Sequence, residues 1–276
     1  MSDPACNFAA MRYFIRLRYK GTDYHGWQVQ NNATSVQQAV NRALSLVLRQ
    51  EIETLGCGRT DTGVHAEDFY AHFDVDQPIE NATVLLNKLT SMKIPGIQFR
   101  SLHAVADTAH ARFDAVYRQY EYRITTERNP FHDHLAHYLF GTLDVEAMNL
   151  AARQLLGKQD FGAFSKVHTQ VFTNICTVTQ AVWEEKNGML VFTIRADRFL
   201  RNMVRAVVGT LLEMGQGKRS VEEMTQIIAS QNRSQAGMSV PACGLFLTEV
   251  GYPENILSLV GNDSASAGNS SIFAHP

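Results

Sequence analysis

The stretch CTVTQAVWEEKNGMLVFTIRAD (176–197) sets the fold class. Two runs rich in β-branched and aromatic residues meet at Asn187-Gly188, a dipeptide that tolerates the two left-handed positions of a tight hairpin turn. A pair of antiparallel strands is predicted here. Working outward, YRQYEYRIT (117–125) reads as another strand, with Arg118, Tyr120, Tyr122 and Ile124 on one face. RYFIRLRY (12–19) alternates Tyr13, Ile15, Leu17 and Tyr19 with Arg and Phe, and Phe69, Ala71, Phe73 and Val75 alternate likewise. Further strands are expected around 97–106 and at GLFLTEV (244–250).

Helices fall between them. Thr34 and Gln37 fit a Ser/Thr-x-x-Glu/Gln capping box, behind which Val36, Val40, Ala43, Leu44 and Val47 recur at helical spacing. Others are expected around 81–92, from Asp144 to Leu156 with a stop at Gly157, and behind a Ser220–Glu223 cap. A long helix over roughly 198–214 would carry Leu200, Val204, Val207 and Leu211 on its inner face. Strands outnumber helices, and no long βαβαβ series occurs. The expected fold is α+β, with two similar α/β halves (12–106 and 107–252) around a mostly antiparallel sheet. Residues 1–11 read as an N-terminal extension and 253–276 as a polar, disordered tail.

The chain has 276 residues, 45% hydrophobic and 19% charged, long enough to bury a core without disulfides. Its cysteines, Cys6, Cys57, Cys176 and Cys243, are far apart, which excludes zinc-ribbon spacing and a disulfide framework. The N-terminus lacks a signal-peptide pattern, and no segment reaches the roughly 20 apolar residues needed to span a bilayer. The natural reading is a reduced, cytoplasmic enzyme. A net charge of −2 does not advertise a nucleic-acid partner, yet phosphate binding depends on where charges sit. Arg195, Arg198, Arg201 and Arg205 fall close together with Asp197 as their one acid. A second basic run comprises Arg12, Arg16, Arg18 and Lys20.

The chemistry is concentrated in the loop GCGRTDTGVHA (56–66). Its three glycines permit tight turns and close backbone approach, and it presents Arg59, Asp61 and His65 from between regular elements. Asp61 has the chemistry of a nucleophile, general base or metal ligand; the bland alternative is an Asx-turn. Elsewhere His132, His134 and His137 invite a metal reading, but their spacing is not H-E-x-x-H and an aromatic-rich exposed loop is favoured. Cys57 reads as a small buried loop residue.

GRTDTGVHA resembles the GRTDAGVHA signature of TruA-type tRNA pseudouridine synthases, departing at Thr62. YKGTDYHGWQVQ, TSVQQAV, ARFDAVYRQYEYRI, FLRNMVRAVVGTLLEMGQG and CGLFLTEV resemble further blocks of the family, in its order, across roughly residues 12–252. Two departures stand out: Asn174 occupies the place of a usual arginine, and SVPACGL replaces the usual A-P-x-x-G-L.

The resemblance implies the pseudouridine synthase fold and isomerisation of uridine to pseudouridine in tRNA, at positions 38–40 of the anticodon stem-loop. It implies Asp61 as catalytic nucleophile, with attack at either ribose C1′ or base C6 left open. It implies Arg205 as the partner that orients Asp61, Tyr120 beside the target base, and Arg59 filling the space left by the flipped base or pairing with phosphate. No metal, nucleotide or redox cofactor is required. The implied partners are tRNA and a second copy of the chain in a homodimer, with no membrane. Residue by residue, the bland readings stay open: Tyr120 as core, Arg59 as a loop anchor, and the Arg198, Arg201, Arg205 stripe as a solvated helix face. His65 is expected to orient the loop rather than to catalyse.

Overall fold

The computed structural model describes residues 11–166 and 173–257; the N-terminal extension before Met11 and the tail beyond 257 lie outside the described residues. The first half runs through β1 (Met11–Tyr19), α1 (Val36–Leu48), β2 (Leu55–Gly56), β3 (His65–Val75), α2 (Ala82–Ser91) and β4 (Ile97–Ala104). The second runs through β5 (Tyr117–Thr125), β6 (His137–Tyr138), α3 (Val145–Arg153), β7 (Gly157–Asp160), β8 (Ile175–Lys186) and β9 (Met189–Ala196). It continues with α4 (Met203–Gly215), α5 (Glu223–Ser230), β10 (Leu245–Gly251) and a short α6 (Glu254–Leu257).

Asn187 and Gly188, at φ 51° and 72°, make the tight turn that joins β8 to β9. Among the described residues the strands form one ten-stranded sheet in the order β4-β1-β3-β10-β5-β9-β8-β7, with β2 on β3 and β6 on β5. Pairing is antiparallel except for β10 with β3 and β5 with β6, so the fold is the expected α+β type with a mostly antiparallel sheet. The last strand lies in the middle. On one edge of β10, Phe246 pairs with His65; on the other, Leu247 pairs with Tyr120. This insertion joins two buried cores, one built on Phe14, Leu17, Leu44, Phe69 and Phe73, the other on Tyr122, Phe161, Phe192, Val207 and Leu211. Tyr120 packs against both, which places it at the seam between them.

Three expectations are corrected. The cap of α1 is Ser35, whose Oγ accepts from Gln38 N at 3.2 Å, and not Thr34. Gln37 turns inward instead, accepting from Val29 N (2.9 Å) and donating to Thr54 O (2.6 Å), because those backbone groups need partners beneath the sheet. The alternation expected in β3 is missing, since residues on both of its faces are buried. The long helix begins at Met203 rather than near 198: Asn202 sits at φ 67°, which breaks a right-handed helical path. Arg198 and Arg201 therefore lie on the connector before α4 and share no helical stripe with Arg205. α4 itself is buried nearly all round, which its apolar sequence MVRAVVGTLLEMG permits.

Candidate functional site

The segment KGTDYHGWQVQ (20–30) folds beneath the Asp61 loop. Two N–H groups at the start of α1 lack intrahelical partners; Val36 N and Gln37 N donate instead to Gly26 O and Trp27 O at 3.1 and 2.9 Å. Trp27 N in turn donates to Thr60 O at 3.2 Å, and the Trp27 ring packs on Phe69 with centroids 4.1 Å apart. Gly26 has φ +83°, and a Cβ there would fall 2.4 Å from Thr60 O, so only glycine lets the two segments approach.

The loop is fastened from its other sides as well. The buried Thr60 hydroxyl bonds Tyr19 Oη at 2.9 Å. Gly63 N donates to Tyr24 O at 3.3 Å, and Val64 N to Asp61 O at 3.1 Å. His65 accepts from Gly21 N on Nδ1 (3.0 Å), so Nε2 carries the proton and donates to Cys243 O (3.2 Å). Its ring stacks on Phe246 at 4.5 Å, and burial lowers its pKa, which favours the neutral form. His65 thus acts as a neutral clamp between the start of β3 and β10.

The Asp61 side chain, by contrast, makes no hydrogen bond with the described residues. Its carboxylate, 30% exposed, faces Arg201 Nε at 3.8 Å and Arg205 Nη1 at 3.9 Å. Arg205 is fixed by its own bond to Val240 O (2.7 Å), and Val240 N returns one to Arg205 O (3.2 Å). Arg201 is 60% exposed. Ion pairs this long and this wet contribute at most about 1 kcal/mol to stability, so their effect is on the field and orientation at the carboxylate. The Asx-turn alternative does not form.

Tyr120 is half-buried and meets Phe199 edge-to-face, centroids 5.1 Å apart. Burial first, and the Cys57 and Asp61 charges after it, push its phenol well above the usual range, against an opposing effect of Arg118. The phenol is therefore neutral at physiological pH. Arg59 is exposed on the same loop as Asp61. It belongs with Arg112 and Arg198: burial, then Arg59, Arg118 and Arg198, depress the Arg112 pKa. Such crowding of guanidinium groups suits a polyanion.

The structure thus gathers Asp61, Tyr120 and Arg205, with Arg59 alongside, and adds Arg201 and Arg112. Sequence left Arg201 undecided and gave Arg112 no role of its own. Four members of the two basic runs are already paired: Arg12 with Asp74, Arg16 with Asp68, Arg18 with Gln98, and Arg195 with Gln119 and Glu249. Asn174, just before β8, has its carbonyl accepting from Phe161 N, just after β7, at 3.0 Å. Burial pushes the Cys57 thiol up to about 12. Among the described residues, no group of three or more His, Cys, Asp or Glu could hold a metal ion, and no helix is long and apolar enough to cross a membrane.

Comparison with known proteins identifies the family. The family model described as tRNA pseudouridine synthase matches residues 151–253. The tRNA pseudouridine synthase A of Bacteroides thetaiotaomicron is 50% identical over 250 residues, covering 90% of this chain and 93% of its own. That of Parabacteroides distasonis is 46% identical over 245 residues, covering 89% and 97%. That of Porphyromonas gingivalis is 49% identical over 251 residues, covering 89% and 98%. Among solved structures, a Cbf5-Nop10-Gar1 complex matches with a TM-score of 0.34 and 12% identity over 79% of this chain and 46% of that one, too remote to carry an argument.

Proposed function

The chain belongs to the tRNA pseudouridine synthase A family, and we propose that Asp61 is the carboxylate that carries its chemistry, on uridines at positions 38–40 of the anticodon stem-loop. The isomerisation breaks the N-glycosidic bond, turns the uracil, joins C5 to C1′ and releases the C5 proton. A carboxylate that adds to carbon and later leaves divides this into two easier steps. One observation carries the reading: the backbone on both sides of Asp61 is fixed, while its carboxylate is uncommitted, part-exposed and faced by two guanidinium groups. Metal and redox cofactors have no role in this scheme.

The target base must leave its stack to reach Asp61, at a cost of a few kcal/mol. Tyr120 offers an aromatic face at the seam to receive it. Being neutral, its phenol acts as a hydrogen-bond donor or through a transient proton relay, not as a standing phenolate base. Arg205 orients Asp61. Arg59 takes the space vacated by the base or pairs with phosphate. The enzyme works as a cytoplasmic homodimer in which one tRNA touches both subunits, so that two modest basic patches line one cleft.

Asp61→Asn tests the core of this reading. The variant keeps size and polarity but lacks the nucleophile, so tritium release from C5-labelled tRNA should vanish while tRNA affinity stays within a few-fold. Substantial residual turnover would remove Asp61 from its role. Pseudouridine mapping after reaction with undermodified tRNA decides the position, and light scattering at micromolar concentration decides between monomer and dimer.

A further inference from the structure

Arg118 lies on β5, two residues before Tyr120, and its guanidinium group donates to four main-chain carbonyls. Nη1 reaches Ala115 O and Asp197 O, each at 3.0 Å, and Nη2 reaches Cys57 O at 2.8 Å and Arg112 O as well. These acceptors come from three chain segments: the Asp61 loop, the connector before β5, and the connector from β9 to α4. We propose that Arg118 is a positioning residue that sets the Asp61 loop and the arginines around it in register with one another, an inference that rests on the function proposed above.

The segments it grips are those that carry the site. Cys57 is four residues before Asp61 and two before Arg59; Arg112 is itself an acceptor; Asp197 precedes Arg198 and Arg201. Each segment is tied to other backbone on one side and to Arg118 on the other. Cys57 N donates to Tyr70 O (2.7 Å) while Cys57 O accepts from Arg118. Asp197 N donates to Thr177 O (3.1 Å) while Asp197 O accepts from Arg118. Arg118 is itself fixed in the middle of the sheet, opposite Val250 on β10 and Ala196 on β9.

The chemistry fits arginine and no other side chain. Only a planar group with several N–H donors in fixed directions can serve four carbonyls at once; a lysine ammonium is a single point on a flexible stem. Repulsion works against bringing Arg59, Arg112 and Arg198 together: burial first, and then the charges of Arg59, Arg118 and Arg198, lower the Arg112 pKa. A charge-assisted, multidentate clamp is a suitable device for holding such a group in place before the polyanion arrives.

The test uses the full-length protein with Arg118→Lys and Arg118→Ala, in thermal melts, tRNA binding and single-turnover tritium release. Arg118→Lys should be folded at the assay temperature and bind tRNA within a few-fold, yet turn over about 100-fold more slowly, since a misplacement near 1 Å has that effect. Arg118→Ala should be similarly slow, and added guanidinium ion should restore at least about a tenth of the lost rate by refilling the vacated clamp. Guanidinium should not restore Asp61→Asn. An Arg118→Lys enzyme with the wild-type rate overturns the proposal. So does an Arg118→Ala rate that follows only the folded fraction and is not rescued. If Arg118→Ala is unfolded, the Arg118→Lys rate decides alone. A wild-type protein that releases no tritium from any tRNA would strike instead at the function itself, and would be seen before any variant is made.

Discussion

The Asp61 loop and the entry to α4 face each other across the seam and are held in opposite ways. Around Asp61 the main chain is fixed at Thr60, Asp61 and Gly63 and held by the side chains of Thr60 and His65, while the carboxylate is left unbonded. At the α4 entry the order is reversed for Arg205, whose guanidinium is bonded to Val240 O, and Arg201 next to it reaches out into solvent. One side of the site supplies an unbonded carboxylate on a fixed backbone. The other supplies positive charge, in one anchored and one solvent-exposed portion. Substitutions on the first side should act through geometry, and on the second through charge.

After Asp61 itself, Tyr120, which packs against both cores, should show the largest effect. Tyr120→Leu removes ring and hydroxyl, and with stacking on the order of 1–3 kcal/mol its single-turnover rate should fall to about a hundredth or less while the protein stays folded. Tyr120→Phe keeps the ring and should lose only about tenfold. If Tyr120 is only core, the pattern inverts: Leu lowers the melting temperature and any rate loss follows stability. Melts beside rate measurements separate these outcomes, and a folded, fully active Leu variant takes Tyr120 out of the site.

Gly26→Ala tests the fixed side without touching a functional group. A Cβ at 2.4 Å from Thr60 O, on a residue at φ +83°, must displace the loop. Turnover should fall some 50-fold, with tRNA binding kept and stability lowered by about 1–2 kcal/mol. An Ala variant of wild-type rate would show that the loop tolerates movement.

The charged side should respond more weakly, and unevenly. Arg205→Gln should reduce kcat by about tenfold at any salt concentration, because the guanidinium is anchored and only 22% exposed. Arg201→Gln should cost about three-fold at low salt and almost nothing near 1 M, where the screening length drops to about 3 Å. Equal salt dependence of the two would erase the distinction between an anchored and an exposed arginine.

How much of this the sequence displays follows from how local each feature is. The β8–β9 turn is written in two adjacent residues, and β5 is legible to its ends because its alternation and flanking turns are local. The Asp61 loop is legible through its glycines and its family signature. The start of α4 is not, since a single left-handed residue, Asn202, shifts it by five positions and separates Arg201 from the stripe it would otherwise share. Gln37 reads as a cap but is drawn inward by unpaired backbone at Val29 and Thr54. The clamp at Arg118 is invisible in sequence, because its acceptors at Cys57 and Asp197 are 61 and 79 residues away and are carbonyls that every residue possesses.

The smallest expected effect on turnover is at His72, which bears on stability rather than on the chemistry. His72, buried on β3, accepts from Ala111 N on Nδ1 at 3.1 Å and so anchors the connector that bears Arg112. Burial, then Arg12 and His110, lower its pKa from 6.5 to about 4. The unfolded chain therefore binds a proton near pH 6.5 that the folded chain refuses until about pH 4. Between those values the unfolded state holds more protons, so stability is full above the window, declines as pH falls through it, and levels off below. The decline attributable to His72 should be on the order of 2–3 kcal/mol, from the depth of that shift. His72→Asn keeps an acceptor for Ala111 N but cannot titrate, so its stability curve should be flatter between pH 6.5 and 4. Denaturant melts of both proteins across that range measure the difference. Parallel curves would assign the acid sensitivity to groups other than His72.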